Sequence, residues 1–166
     1  MTRRLAIPDP IVSNTTPLIT LVGVDRLDLL PQLYGEIWVP EIVAQEYNAG
    51  ARPGNPDLHS LPWLKIVPAP AFTVEFDRML DVGEIAVINL ALNVKARFVL
   101  IDEKFAREAA TKQGLLVVGT LNVLARAKRQ NLITEVKPVV DEMIAQGRYI
   151  HKRLRDRFLT ELGENV

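Results

Sequence analysis

Residues 97–120, RFVLIDEKFAREAATKQGLLVVGT, decide the fold class. Phe98-Val99-Leu100-Ile101 is apolar without alternation, as expected of a strand buried on both faces of a sheet. Glu103 to Gln113 then carries helical spacing and Gly114 ends it, because glycine alone enters the left-handed region freely. Leu115-Leu116-Val117-Val118 is the next apolar strand, and Gly119-Thr120 turns it into a helix over Leu121 to Arg129. Apolar strands alternating with helices belong to a parallel sheet covered on both faces.

The same alternation continues outward. Ile11-Val12-Ser13 is a short apolar run ended by Asn14-Thr15-Thr16-Pro17, residues that cap and open a helix, and helical sequence extends from Leu18 to Leu33. Glu36-Ile37-Trp38-Val39-Pro40 reads as a second strand and Glu41 to Tyr47 as the helix behind it. From Asn48 to Pro70, prolines and glycines rule out a regular helix, leaving a loop with an edge strand at Lys65-Ile66-Val67. A helix from near Val82 to Leu92 has apolar residues around most of its circumference, and helices near Val139 to Ala145 and Leu154 to Leu162 finish the chain. Residues 135–137 read as a further short strand.

At 166 residues, with 48% hydrophobic and 24% charged residues, the chain suits a single globular domain over residues 1–166, the helices from about 139 packing on it or extending from it. It has no cysteine, so disulfides and thiolate metal sites are excluded. The polar start MTRRLAIPDP lacks the apolar core of a leader, and the longest apolar run is too short for a bilayer, so a cytoplasmic protein away from membranes is expected. Twenty basic residues balance twenty acidic ones, which removes global steering toward polyanions but leaves a local site open. Arg148, Lys152, Arg153, Arg155 and Arg157 gather positive charge near the C-terminus, either as a phosphate-facing patch or as a salt-bridged helix face. No phosphate-loop motif and no serine-centred elbow are present, and His59 and His151 lie far from the acids in sequence.

Function in an open parallel sheet gathers at the carboxyl ends of its strands. Asn14, the pair Asp102-Glu103, and Thr120 fall at such ends, and Glu46 and Glu84 sit on helices that lean over the same place. Crowded carboxylates repel one another and are relieved by a hard cation with oxygen ligands, Mg²⁺ or Mn²⁺. Such a site suits metal-assisted hydrolysis of phosphodiesters. Ordinary roles are also open: Asp102 as a helix cap, Glu46 and Glu84 as surface acids.

The strings IVSNTTPLI, YGEIWVPEIVAQE, DVGEIAVINLAL, FVLIDEKFAREAA and GLLVVGTLNVLARAK resemble, in that order, the successive blocks of a PIN-like family of bacterial proteins. The resemblance implies an α/β/α sandwich around a mostly parallel sheet. It also implies an endoribonuclease dependent on Mg²⁺ or Mn²⁺, in many members the toxin of a toxin–antitoxin pair. Its acid positions fall on Asn14, Glu46, Glu84 and Asp102, with Glu103 as a supplementary metal ligand. Asn14 departs from the pattern, where an Asp is normal, and a neutral amide binds a divalent cation more weakly than a carboxylate.

Thr15, Thr16 and Thr120 bring hydroxyls to the same strand ends, either to cap helices or to hold a phosphate oxygen or a water. Trp38 and Trp63 read as packing residues, since neither is interleaved with Arg or Lys. Two functions from different classes follow: a PIN-type ribonuclease acting on RNA, with an antitoxin-like protein as its partner where it is a toxin, or a weakened module that binds RNA or a protein partner without cutting. Self-association is an open expectation, and a structural subunit of an antitoxin-type complex is a third reading.

Overall fold

A computed structural model describes residues 9–68, 70–71, 76 and 79–166. The N-terminal residues 1–8, read above for the absence of a leader, and residue 69 of the proline-rich loop lie outside that set. The elements run β1 (Ile11–Ser13), α1 (Thr15–Gly23), α2 (Leu29–Tyr34), β2 (Ile37–Pro40), α3 (Glu41–Gly50), β3 (Leu64–Val67), α4 (Val82–Asn93), β4 (Phe98–Leu100), α5 (Lys104–Lys112), β5 (Val117–Val118), α6 (Thr120–Arg129), α7 (Lys137–Ala145) and α8 (Lys152–Glu161), with a 3-10 turn at Leu58–Ser60.

The strands form one sheet in the order β3-β2-β1-β4-β5, every pairing parallel. This is the α/β/α sandwich that the alternation and the resemblance both imply. Chain direction explains the buried centre. β1 and β4 sit side by side in the middle, each with all its residues buried, whereas β3 and β5 are edges. Because β1 leads outward to β2 and β4 leads outward to β5, the strand order reverses between β1 and β4, and a crevice opens beyond their carboxyl ends.

Helix α4 is the hub of the core. Its sequence is apolar on nearly every side, and residues 86–91 are all buried, so it packs against sheet and helices together. Its start is fixed by a capping box: the Glu84 N–H donates to Asp81 Oδ1 at 2.8 Å and the Asp81 N–H donates to Glu84 Oε2 at 3.0 Å.

Three details differ from the sequence reading. The helix read over Leu18 to Leu33 is two helices, broken where Asp25 takes a φ of 55°. The strand read over Leu115 to Val118 shortens to Val117–Val118: the Leu116 carbonyl still accepts the Val99 N–H at 2.9 Å, but its side chain is 70% exposed. Residues 135–137 form no strand: Val136 is α-conformed, and its N–H and that of Lys137 donate to the Glu164 carboxylate, which caps α7 from the chain's far end. Among the described residues no helix is long and apolar enough to cross a membrane.

Candidate active site

The crevice between β1 and β4 is closed by backbone: the Asn14 N–H donates to Leu100 O at 3.0 Å, extending the ladder one residue past β1. Asn14 occupies the N-cap position of α1 but makes no side-chain cap bond. Its buried amide instead reaches across the switch point and donates to Glu103 Oε2 at 3.3 Å, while the Thr16 hydroxyl donates to Glu103 Oε1. Thr15 likewise turns away from capping, donating to Glu46 Oε2 at 2.8 Å. The first turn of α1 therefore presents hydroxyls and a positive dipole end to two carboxylates carried by other elements.

Glu46 projects from α3 with its carboxylate against the start of α4. A Cβ built on Gly83 would lie 2.5 Å and 2.7 Å from its two oxygens, so only glycine leaves room for the acid there. Glu84 follows at once, 7% exposed and turned back into the capping box. Burial pushes the Glu84 carboxyl above its ordinary value; the Asp81 N–H opposes this, and the negative fields of Asp81, Glu103 and Glu46 reinforce it. Glu46 and Glu103 are thus near enough for their charges to act on Glu84, and exposed Glu46 opens the cluster to solvent.

Asp102 turns the other way. Its Oδ1 accepts the Thr120 N–H at 2.8 Å and its Oδ2 accepts the Thr120 hydroxyl at 2.6 Å, bracing the first turn of α6. Gly119 permits this approach, since a Cβ there would fall 3.1 Å from Asp102 Oδ1 and 2.7 Å from Arg107 Nη1. Arg107 is fixed by donating to Ile101 O at 2.9 Å.

The structure therefore brings together Asn14, Thr15, Thr16, Glu46, Glu84 and Glu103, and sets Asp102 with Thr120 as a neighbouring pair. Lys152 and Arg153 belong to α8, where Lys152 Nζ pairs with Asp156 at 2.7 Å and the Arg153 N–H donates to His151 Nδ1. Arg148 is half-buried at the end of α7, in a groove with Gly23 and Arg52. Two features were missed in the sequence. Asp81 is the partner of Glu84, and the D-x-x-E spacing of a capping box, Asp81 to Glu84, was there to be read. Lys65 stands opposite Trp38 in the β2–β3 register and places its ammonium 4.0 Å from the ring centre, so Trp38 does carry a cation, supplied by strand pairing. Trp63 packs against the core as expected.

The donor set is all oxygen, and the strain on Glu84 is of the kind a hard cation relieves, so the chemistry of the residues fits Mg²⁺ or Mn²⁺. In the present rotamers each acid is spent on a local donor: Glu46 on Thr15, Glu103 on Asn14 and Thr16, Glu84 on the Asp81 N–H, Asp102 on Thr120. Among the described residues, accordingly, no group of three or more Asp, Glu or His side chains converges as a ready cage. Binding an ion at this place means exchanging those hydroxyl and amide bonds for it.

A family model described as a PIN domain matches residues 10–164, which spans every element described above. No curated protein and no solved structure matches the chain.

Proposed function

We propose that this chain, which belongs to the PIN-domain family, is a metal-dependent endoribonuclease that hydrolyses RNA phosphodiesters at the β1–β4 crevice. The observation that carries the reading is the gathering of Glu46, Glu84 and Glu103, from three separate elements, around Asn14, the first turn of α1 and the start of α4. A purely structural set of acids would be paired with bases. These are paired with neutral donors and with one another's repulsion.

Mg²⁺ or Mn²⁺, held by Glu46, Glu84 and Glu103 with Asp102 alongside, would supply a more acidic water and offset charge on the phosphoryl group. The chain's own residues do the positioning. Thr15 and Thr16 orient two of the acids, the capping box fixes the third, and the Asn14 amide is a neutral donor suited to a phosphate oxygen. As the toxin-like member of a toxin–antitoxin pair, the chain would have an antitoxin-like partner whose co-purification suppresses cleavage.

Purified protein should cut a mixed-sequence RNA pool with Mn²⁺, and Glu103→Gln or Glu84→Gln should reduce the rate at least about a hundredfold, the scale of a lost charge-stabilising group. Cleavage that persists in EDTA, or in both variants, overturns the reading. A second reading, a module that binds RNA or a protein without cutting, is favoured by one observation: the acid expected at the end of β1 is the amide of Asn14, already committed to Glu103.

A further inference from the structure

A groove of about 250 Å³ lies where the C-terminal ends of α1 and α7 meet the loop after α3, walled by Thr20, Gly23, Arg52, Asn55, Gln146 and Arg148. No residue that lines it is acidic. Arg52 and Arg148 reach it from opposite ends of the sequence, and neither guanidinium has a hydrogen bond or an ion pair among the described residues. On α8, Lys152 is paired with Asp156, Arg155 with Asp141 and Asp156, and Arg157 with Glu161, whereas the Arg153 guanidinium, like those of Arg52 and Arg148, has no partner among the described residues. The nearest acid by hydrogen bonding, Glu142, is turned to Gln146 Nε2 at 2.7 Å, and the same Nε2 donates to Gly23 O.

Two free guanidiniums beside the Asn55 amide, with no carboxylate in the lining, match an anion that offers several acceptor oxygens, which is a phosphate.

Helix α1 ties this groove to the acid cluster. Thr16 bonds Glu103 at one end and Thr20 and Gly23 line the groove further along, a separation of about 6–11 Å along the axis at the usual helical rise. A single strand crossing the acid cluster can set a neighbouring phosphate there. We infer that Arg52 and Arg148 form a backbone-phosphate subsite for single-stranded RNA, an inference that rests on the nuclease reading for the identity of the strand.

The test uses the full chain, an Arg52→Gln/Arg148→Gln variant and a Lys152→Gln/Arg153→Gln control. Each is titrated with a labelled mixed-sequence single-stranded oligoribonucleotide in EDTA at several salt concentrations. Loss of two phosphate contacts should flatten the slope of log K against log salt by about 1.4, at about 0.7 per contact for single strands, while the control keeps the parental slope. An unchanged slope in the Arg52/Arg148 variant, or no RNA binding by the parent, overturns the inference. So does inorganic phosphate at matched ionic strength stabilising the parent as strongly as the oligonucleotide, which would make the groove a small-anion site. Cleavage with Mn²⁺ is measured in parallel. A parent that binds through the two arginines without cutting refutes the nuclease reading and leaves the subsite standing; cutting with an unchanged slope does the reverse.

Discussion

Asn14→Asp tests the centre of the site, because it changes one donor into one charge in nearly the same volume. The Asn14 amide now donates to Glu103 Oε2 at 3.3 Å and is 4% exposed. An Asp in its place would set two carboxylates face to face. At about 4 Å and an effective dielectric near 20 their repulsion is about 4 kcal/mol. The cost is capped by protonation, since holding an ordinary carboxyl neutral at pH 7 takes about 1.4 kcal/mol for each of roughly three units. Partial exposure of Glu103 lowers the figure, so the variant without metal should lose about 2–4 kcal/mol at pH 7. For a chain of this size that is a drop of about 4–16 °C in Tm. The sign with pH follows from like charges raising carboxyl pKa values: the penalty is absent below the ordinary carboxylate range and grows as pH rises through the raised one. With Mn²⁺ the new charge becomes a ligand, and metal at a hundred times its Kd returns about 2.7 kcal/mol. Melting curves of parent and variant at pH 4 to 8, with EDTA or Mn²⁺, read all of this. A metal-free variant that melts with the parent at pH 7, or Mn²⁺ stabilising both equally, refutes the pairing of Asn14 with Glu103. RNA cleavage in the same samples separates a weakened nuclease, which gains rate, from a binding module, which does not.

Three further outcomes follow from particular contacts. Glu84→Gln keeps an acceptor for the Asp81 N–H but removes a charge whose pKa is raised by burial and by Asp81, Glu103 and Glu46, so it should melt above the parent at pH 8 in EDTA. That advantage should fade as pH falls toward 4.5, where the parental carboxyl also becomes neutral; an advantage independent of pH would point to packing instead. Gly83→Ala gains about 1 kcal/mol of helix propensity yet displaces the Glu46 carboxylate, so calorimetry should find Mn²⁺ affinity falling while Tm holds or rises, and unchanged affinity would remove Glu46 from the ion's surroundings. Glu164→Ala strips the cap of α7: burial alone would raise this carboxyl, but Lys128 and the Val136 and Lys137 N–H groups hold it below its ordinary value. The loss should be about 1.5–3 kcal/mol at pH 7 and should vanish in acid, as pH falls through the lowered value, in urea unfolding followed by circular dichroism.

Much of the architecture was legible because burial writes itself into sequence. Phe98 to Ile101 does not alternate since both faces of a central parallel strand are covered, and α4 is apolar all round since it packs on several sides. The prolines between Asn48 and Pro70 forbid a helix there, and Gly114, with a φ of 82°, stops α5 as read. Failures came where a local pattern had two solutions. Leu115-Leu116 is as strand-like as Val117-Val118, but only the latter two stand in register with β4, Leu116 lending the ladder a carbonyl while its side chain stays in solvent. Val136 reads as a strand residue until Glu164, distant in sequence, arrives to satisfy its N–H.

By itself, then, the sequence determined the parallel sandwich, the family, and the strand ends at which acids gather. The tertiary structure decided which acids stand together. Asp102 and Glu103 are adjacent, and successive residues leaving a strand point to opposite sides, so one braces Thr120 and the other joins Asn14 and Thr16. Thr15 and Thr16 look like cap residues and become carboxylate donors only because α3 and β4 deliver Glu46 and Glu103 to them. Arg52 and Arg148 share a groove only through the docking of α7 against the end of α1. Periodicity records how deeply a residue is buried, and its range is a single element. Which side chain waits across the gap depends on packing between elements, and that information exists only once the chain has folded.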